Sequence, residues 1–526
     1  MKNNGFQAAK ALVILFLIIG VVMPLITLLC NINPEDIAKI ISSPQFQPMM
    51  IHSLVATTIA TLISVGLALT LAWCVNRTHI RYKAIFSMLF TLPMLIPSIS
   101  HGMGLVLLLG DNGILTNALG LDIGLYGYPG IIIGSVLYSF PVAFLMLTDI
   151  FKYEDYTVYE AAQVLGLSKS QQFLRITLPN LKGALISVIF AVFTMIFTDY
   201  GVPLVVGGKL MTLPVYMYRE VIGLLDFSKG AIIGIILLIP ALIAFFIDLK
   251  SEESSNASTV TMQYQIESNP QRDIVAYLLC VITVIFISLP ILAFAYLSVV
   301  KQFPVDMSLS LDNIKKALDL GIVLYLKNAL AIALATSLIG TVVIYFTAYI
   351  TARSPKSFTT LTIHLISLIT LAIPGVVLGL CYVLFFKGSP IYGTLIILIL
   401  VNSVHFFASP YLVAYHSLHK FNKNLEDISA TMGISKLRML KDVYLPSTKD
   451  SLIEIFSYLF VNCMVTISAV SFLANFKNLP IALLIPQFDA QSLIEATAFV
   501  SMIILIVNGI VKLAVYLIKR FALSEE

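Results

Sequence analysis

Charge is what this sequence has least of. Of 526 residues only 11% are Asp, Glu, Lys or Arg, while 59% are hydrophobic; a soluble domain carries about 25% charged residues. With a mean hydropathy of +0.95, that deficit excludes a water-soluble globular chain and places this one in a bilayer. Tryptophan occurs once, as Trp73, near the end of an apolar run where an interfacial ring would sit. Cys30, Cys74, Cys280, Cys381 and Cys463 lie far apart, with no CxxC and no Cys/His ligand spacing. That argues against metal or redox chemistry at cysteine and reads them as small membrane-buried side chains. No G-x-x-x-x-G-K-[ST] occurs: Gly207-Gly208-Lys209 lacks both the upstream glycine and the following Ser or Thr. Nor is there a Ser/His/Asp set, an HExxH, a pair of intramembrane carboxylates or a metal-ligand spacing of His, Asp and Glu, so a membrane-embedded enzyme finds no support.

What is present is long apolar runs. About 20 apolar residues span a bilayer as a helix, and twelve candidates occur, near 11–30, 53–75, 84–109, 130–151, 183–205, 230–249, 274–299, 328–352, 359–386, 391–415, 451–474 and 493–518. The third, fifth, ninth and eleventh contain proline, glycine or polar residues, which a membrane helix tolerates when neighbours satisfy the freed backbone. The expected fold class is all-α and polytopic. Lys2 and Lys10 precede the first run without a small-residue cleavage site, which reads as a retained signal-anchor helix. With the N-terminus placed inside, 22 of the 32 Lys and Arg fall in inside segments, so both termini are expected in the cytoplasm.

The sequence divides as residues 1–52, an anchor helix and external loop; 53–249, a first membrane domain; 250–273, a polar Ser/Glu/Asn-rich stretch expected to be a flexible cytoplasmic linker; 274–325, a seventh helix and external loop; and 326–518, a second membrane domain. The two domains resemble each other. His52–Arg77 leads through 20 residues to Pro97, and Lys327–Arg353 through 21 to Pro374. Each arginine closes a helix at the cytoplasmic face, and each proline sits mid-membrane beside small residues. Six spans per half make these parallel repeats, related by a pseudo-twofold along the membrane normal with a pathway at their interface, a transporter plan.

The strongest repeat is polar. EAAQVLGLSKSQQFLRITLP (Glu160–Pro179) is matched by DISATMGISKLRMLKDVYLP (Asp427–Pro446), in loops 156–182 and 421–449. Both place an acid six residues before a glycine (Gly166, Gly433), then hydrophobic-Ser-Lys, a β-branched residue (Ile176, Val443) and Leu-Pro. Gly166 suits a helix end at positive φ, Ser168 caps the next helix, and Pro179 ends it. Two short helices in an L are expected, the first with a small-residue apolar face fit for a groove in a partner protein. The alternative is a pair of interfacial helices on lipid headgroups.

The first copy resembles the EAA loop of permease subunits of type I ATP-binding-cassette importers: Glu160-Ala161-Ala162, Gly166, Ile176 and Pro179 match it strictly. The second departs, with Asp427-Ile428-Ser429 and Val443, but keeps Gly433 and Pro446. The fused two-domain layout, with Thr198–Gly208 in one half and Val465–Leu473 in the other, looks like the iron(III), thiamine, polyamine and 2-aminoethylphosphonate branch. The resemblance implies a non-enzymatic permease in a bacterial inner membrane, translocating a small polar solute or ion. It implies two copies of a separate cytoplasmic ATPase, an external solute-binding protein, no cofactor in this chain, and no nucleic acid. ATPase-coupling residues would be Glu160, Ala161, Ala162, Gly166 and Pro179, with Asp427, Ser429, Gly433 and Pro446 in the second copy.

Ionisable residues within a span default to functional candidates. Asp199 follows sixteen uncharged residues, with Thr466 at its paired position, and His101 follows Pro97 and Ser98. These three are candidates to line the pathway; the alternative is interhelical hydrogen bonding. A secondary transporter driven by an ion gradient is the other class to weigh. It would need buried carboxylates and would leave the paired loops unexplained.

Overall fold

A computed structural model describes residues 4–120, 123–152, 154–254, 262, 264–422 and 424–523. The described chain is overwhelmingly α-helical, with one two-stranded antiparallel ribbon, Val300–Gln302 against Asp306–Leu309. Among the described residues nine helices are long and apolar enough to cross a membrane, or eleven if each of two bent pairs counts as one span. The all-α polytopic expectation therefore holds. The difference from twelve comes from the eleventh run, whose helix Lys449–Val465 stops after 17 residues. The fifth run breaks at the matching place: Leu178–Phe197 ends, Thr198–Tyr200 turns, and a short helix Gly201–Val206 follows.

The repeats match element for element. Phe46–Arg77 and Ile322–Arg353 are both 32 residues long. Each leads through a short helix and a 3-10 turn to a proline, then to a 12-residue helix, Ser98–Leu109 or Gly375–Phe386. The second of these breaks is bent by 114°. Pro97 and Pro374 each lack the N–H that would continue the helix. Tyr128–Lys152 carries Pro141 without interruption, while its counterpart divides into Leu395–His405 and Ala408–His419, bent by 54°.

Small residues decide how the long helices pack. In Phe46–Arg77 the buried stripe is Ala56, Ala60, Ser64, Ala68 and Ala72, while Val55, Ile59, Leu62 and Ile63 are exposed. Lipid is as apolar as leucine, so close backbone approach and interhelical hydrogen bonds hold such helices together. The stripe packs against Tyr128–Lys152, where Ser64 Oγ and Ser139 Oγ are 2.9 Å apart. In the second repeat a Cβ on Gly340 would lie 2.9 Å from a Leu459 methyl.

The chain forms two compact units that do not follow the halves of the sequence. One contains Ile41–Tyr216 and Ile239–Ser310; the other contains Met1–Ile40, Met217–Leu238 and Leu311–Glu526. The seventh helix, Pro270–Leu297, thus packs within the first-repeat unit, on Phe46–Arg77, Lys83–Phe90 and Ser98–Leu109. A Cβ on Gly104 would sit 2.6 Å from Pro290 Cβ, so this crossing requires glycine. The N-terminal helices pack within the second-repeat unit. There the helix opens into a π-turn at Ile18–Val22, and the Gly20 carbonyl accepts a 2.8 Å bond from Tyr382 Oη. A π-turn frees a carbonyl for such a contact.

The stretch read as a flexible linker is partly built. The Phe227–Ser254 helix runs into it, and Pro270 starts the next helix. Residues 255–261 and 263 lie outside the described residues. Met262 and residues 264–269 pack on the first polar loop, as described below.

Candidate functional site

The two polar loops have one backbone. Thr157–Val164 and Asn424–Thr431 are eight-residue helices. Each ends in a glycine at positive φ, +75° for Gly166 and +68° for Gly433. The turns close with matched bonds: Leu167 N–H to Ala162 O at 3.0 Å, and Ile434 N–H to Ser429 O at 2.8 Å. Ser168 and Ser435 then cap the next helices, each accepting a 3.3 Å bond from the N–H three residues on. Four-residue helices follow, Lys169–Gln172 and Lys436–Met439, then π-turns Phe173–Thr177 and Leu440–Tyr444. Pro179 and Pro446 occupy the first turn of the next helices, where a missing N–H costs nothing. A non-glycine residue at φ near +60° costs about 1–2 kcal/mol, so the glycine spacing is a backbone requirement met twice.

Each first helix divides its face in the same way. Glu160 and Ala161 are exposed and Ala162 is buried; Asp427 and Ile428 are exposed and Ser429 is buried. Ser429 Oγ donates to the Glu426 carbonyl at 2.9 Å. The exposed faces are apolar for a loop this polar: Val164 and Leu165 are 89% and 77% exposed, and Met432 is 69% exposed. Ile428 replaces the small Ala161 on that face.

Beneath each helix lies a buried cluster that sequence reasoning did not find. In the first repeat Arg77, the last residue of Phe46–Arg77, pairs with Glu154; Tyr159 Oη donates to the same carboxylate and lies 2.6 Å from Thr177 Oγ1. In the second, Arg353 pairs with Glu426, with Nε to Oε1 at 2.6 Å, and Tyr444 Oη donates to that carboxylate. Arg353 also donates to the Phe421 and Asn422 carbonyls, each at 2.8 Å. Burial first, then the facing carboxylate, pushes both phenols up, Tyr444 to about 12, so each is a neutral donor. These clusters fix the loop to the end of a membrane helix. The available signal was the arginine closing each long helix: a guanidinium buried there requires a carboxylate nearby.

The candidate pathway residues sit at the helix breaks. Asp199 accepts bonds from Ser98 Oγ at 2.7 Å and Val202 N–H at 2.9 Å, joining the Pro97 break to the short helix Gly201–Val206. It borders a small cavity of mixed lining, with Ser53, Thr57, Ser135 and Thr212 beside apolar residues such as Ile131 and Phe197. His101 is buried one turn beyond Ser98, and its Nε2 donates to the Pro93 carbonyl at 3.2 Å. Thr466 is buried at the C-terminal end of Lys449–Val465. Ser98 and Asp199 are thus brought together, whereas His101 bonds within its own segment. At the matching place in the second repeat a Cβ on Gly375 would lie 2.3 Å from Ser468 Oγ and 3.0 Å from the His405 ring. A close approach takes the place of the Ser98–Asp199 bond.

Comparison with known proteins agrees with this duplicated architecture. The family model described as "Binding-protein-dependent transport system inner membrane component" matches twice, over residues 63–250 and 344–522. The ferric transport system permease protein FbpB of Actinobacillus pleuropneumoniae is 26% identical over 468 residues, covering 84% of this chain and 67% of that protein. A putative ferric transport system permease, FbpB 1, of Haemophilus influenzae is 26% identical over 506 residues, covering 90% and 79%. Among solved structures, a chain of a bacterial ABC transporter that imports alginate aligns with a TM-score of 0.42 and 18% identity, over 48% of this chain and 97% of that one. With two family domains in one polytopic all-α chain, this protein belongs to the family of binding-protein-dependent transport system inner membrane components, the permeases of ABC importers.

Proposed function

We propose that this permease couples to a separate cytoplasmic ATPase pair through its two polar loops, Glu160–Pro179 and Asp427–Pro446. The observation that carries this reading is the shared backbone of the loops, each with an exposed acid and apolar residues above a buried arginine cluster. Glu160, Ala161 and Gly166, with Asp427 and Gly433, form the docking surface; Ala162, Ser429, Pro179 and Pro446 shape it from behind. ATP is hydrolysed in the partner, and this chain needs no cofactor of its own. Both termini and both loops lie in the cytoplasm, in keeping with the Lys and Arg distribution.

The solute is a small inorganic ion of the ferric type, delivered by an external binding protein. The relatives that span most of this chain are named for ferric transport. Asp199 and His101 beside the Pro97 break, and Thr466 at the end of Lys449–Val465, are the residues proposed to line its path; irregular backbone at membrane depth is tolerated where it is buried in protein or lines a cavity. The test is purification of the permease with its ATPase, followed by ATP-dependent uptake of ferric ion into proteoliposomes supplied with the binding protein. Uptake requiring all three components supports the reading. Uptake driven by an ion gradient without ATP refutes it.

A further inference from the structure

Met262 and residues 264–269 lie on the first polar loop by several independent contacts. The Tyr156 N–H donates to the Met262 carbonyl at 3.0 Å, and the Met262 N–H to Asp155 Oδ1 at 3.2 Å. Two residues on, the Tyr264 ring lies 3.4 Å from the Arg77 guanidinium carbon. The same ring meets Tyr156 and Tyr159 edge-on, each at 5.1 Å between centroids. Glu267 pairs with Lys169 at 2.6 Å, and His79 Nε2 donates to the Ile266 carbonyl at 2.8 Å. Arg272 Nη2 then donates to the Glu267 carbonyl at 2.7 Å, tying the segment to the start of Pro270–Leu297.

Tyr264 therefore covers the open side of the Arg77–Glu154–Tyr159 cluster. A ring over a guanidinium already paired with a carboxylate adds a cation–π contact and excludes water from the pair. The segment touches both arms of the L: Tyr156 and Tyr159 at the first helix, Lys169 at the second.

The second-repeat unit has a comparable contact, made on Lys436 and Tyr349 rather than on the Arg353 cluster. The residues that open the N-terminal helix lie on the second polar loop. Lys436 Nζ stands 4.8 Å from the Phe6 ring centroid. Phe6 also meets Tyr349 edge-on at 6.1 Å, and Tyr349 Oη donates to the Lys436 carbonyl at 2.9 Å. A Cβ on Gly5 would lie 3.0 Å from Leu437 Cδ1. In each unit, an aromatic residue at the entry to a membrane helix presses on a polar loop that ends another part of the unit.

We propose that Met262 and residues 264–269 act as a strap that positions the first polar loop, with Tyr264 as its positioning residue. The strap makes the loop's angle on the Phe46–Arg77 helix depend on the entry to Pro270–Leu297. A movement imposed on the loop from the cytoplasm is thereby passed to Pro270–Leu297 as well as to Phe46–Arg77 and the two helices the loop joins. This rests on the reading of that loop as the site where the ATPase pushes; the strap itself is a property of the permease alone.

The first test uses the full-length permease in lipid nanodiscs without ATPase. Amide hydrogen exchange is compared in wild type, Tyr264→Ala, Tyr264→Phe and Glu267→Lys. Tyr264→Ala is expected to speed exchange over 156–168 by about tenfold, most clearly at Tyr156, with 424–435 unchanged. Tyr264→Phe, which keeps the ring, is expected to match wild type, and Glu267→Lys to give a smaller acceleration. Unchanged exchange over 156–168 in both Tyr264→Ala and Glu267→Lys overturns the strap. The second test adds the ATPase. Tyr264→Ala should retain it and still turn over ATP, but lose several-fold of the stimulation by loaded binding protein, with Tyr264→Phe restoring it. Full stimulation in Tyr264→Ala overturns the positioning role. An Ala161→Arg control separates the two readings: if it leaves ATPase binding intact, the docking assignment fails, while the exchange result still decides the strap.

Discussion

Tyr159 and Glu426 occupy the same place in the two copies of one loop, and each meets the residue eighteen further on: Tyr159 meets Thr177, and Glu426 meets Tyr444. The phenol and the acid have changed places. In the first copy the phenol is on the short helix and the carboxylate comes from Glu154; in the second the carboxylate is on the short helix and the phenol comes from the π-turn. Arg77 and Arg353 close both clusters from the ends of equal helices. The shared constraint is a buried guanidinium, which needs one carboxylate and one neutral donor from whichever positions reach it.

Removing one partner of these pairs should be costly. Arg77→Met strands Glu154, and Arg353→Met strands Glu426; breaking a buried pair costs about 3–5 kcal/mol, and the second should cost less because Glu426 is only half-buried. Thermal unfolding in detergent should show a large drop for each single variant. Arg77→Met combined with Glu154→Met should recover part of it, since replacing both charges leaves neither unpaired. A double variant no more stable than the single would count against the pair as the main interaction.

The glycines should behave as backbone requirements rather than as packing ones. Among the described residues, no atom beyond its chain neighbours lies within 4 Å of a Cβ added at Gly166. Gly166→Ala should therefore cost only the left-handed conformation, about 1 kcal/mol, and Gly166→Asn less. Exchange at Leu167, whose N–H closes the turn on Ala162, reports this directly. A much larger loss from alanine would mean that the site is crowded.

Asp199→Asn keeps an acceptor for Ser98 but turns its NH2 toward the Val202 N–H, while Asp199→Ala leaves the Ser98 hydroxyl and the Val202 N–H unpaired in a buried site, at about 1–3 kcal/mol. Both variants are expected to lower the amount of folded permease, the alanine variant more. Reduced ferric uptake by folded Asp199→Asn would support a place on the solute path; normal uptake would leave Asp199 as the link between the Pro97 break and the Gly201–Val206 helix.

The element pattern and the loops were readable because their signals are local. Helix length follows from apolar runs, and the L-shaped loop from Gly166 and Ser168 at their spacing; Pro179 does not end the second helix as expected, because Lys169–Phe197 runs on through it. Which helices pack together was not readable. Apolar faces are interchangeable in lipid, so nothing in 11–30 or 274–299 names its neighbours, and the two units cut across the halves of the sequence. The arginine clusters escaped because their acids stand at different registers, Glu154 in one copy and Glu426 in the other, so alignment of the repeats hides the common role. Composition gave no sign of where the linker's last residues settle: Met262, Tyr264 and Glu267 each contact the first polar loop or its arginine cluster.

If the exposed faces of the two loops receive the ATPase, its co-purification with the permease depends on them. Ala161→Arg and Ile428→Arg alter exposed positions of the paired helices, so the permease should stay folded in the membrane. Ala161→Arg is expected to lower the bound ATPase strongly, and Ile428→Arg less, because that position already carries a bulky side chain. The double variant should purify without ATPase. Full ATPase occupancy on the folded double variant would contradict the claim.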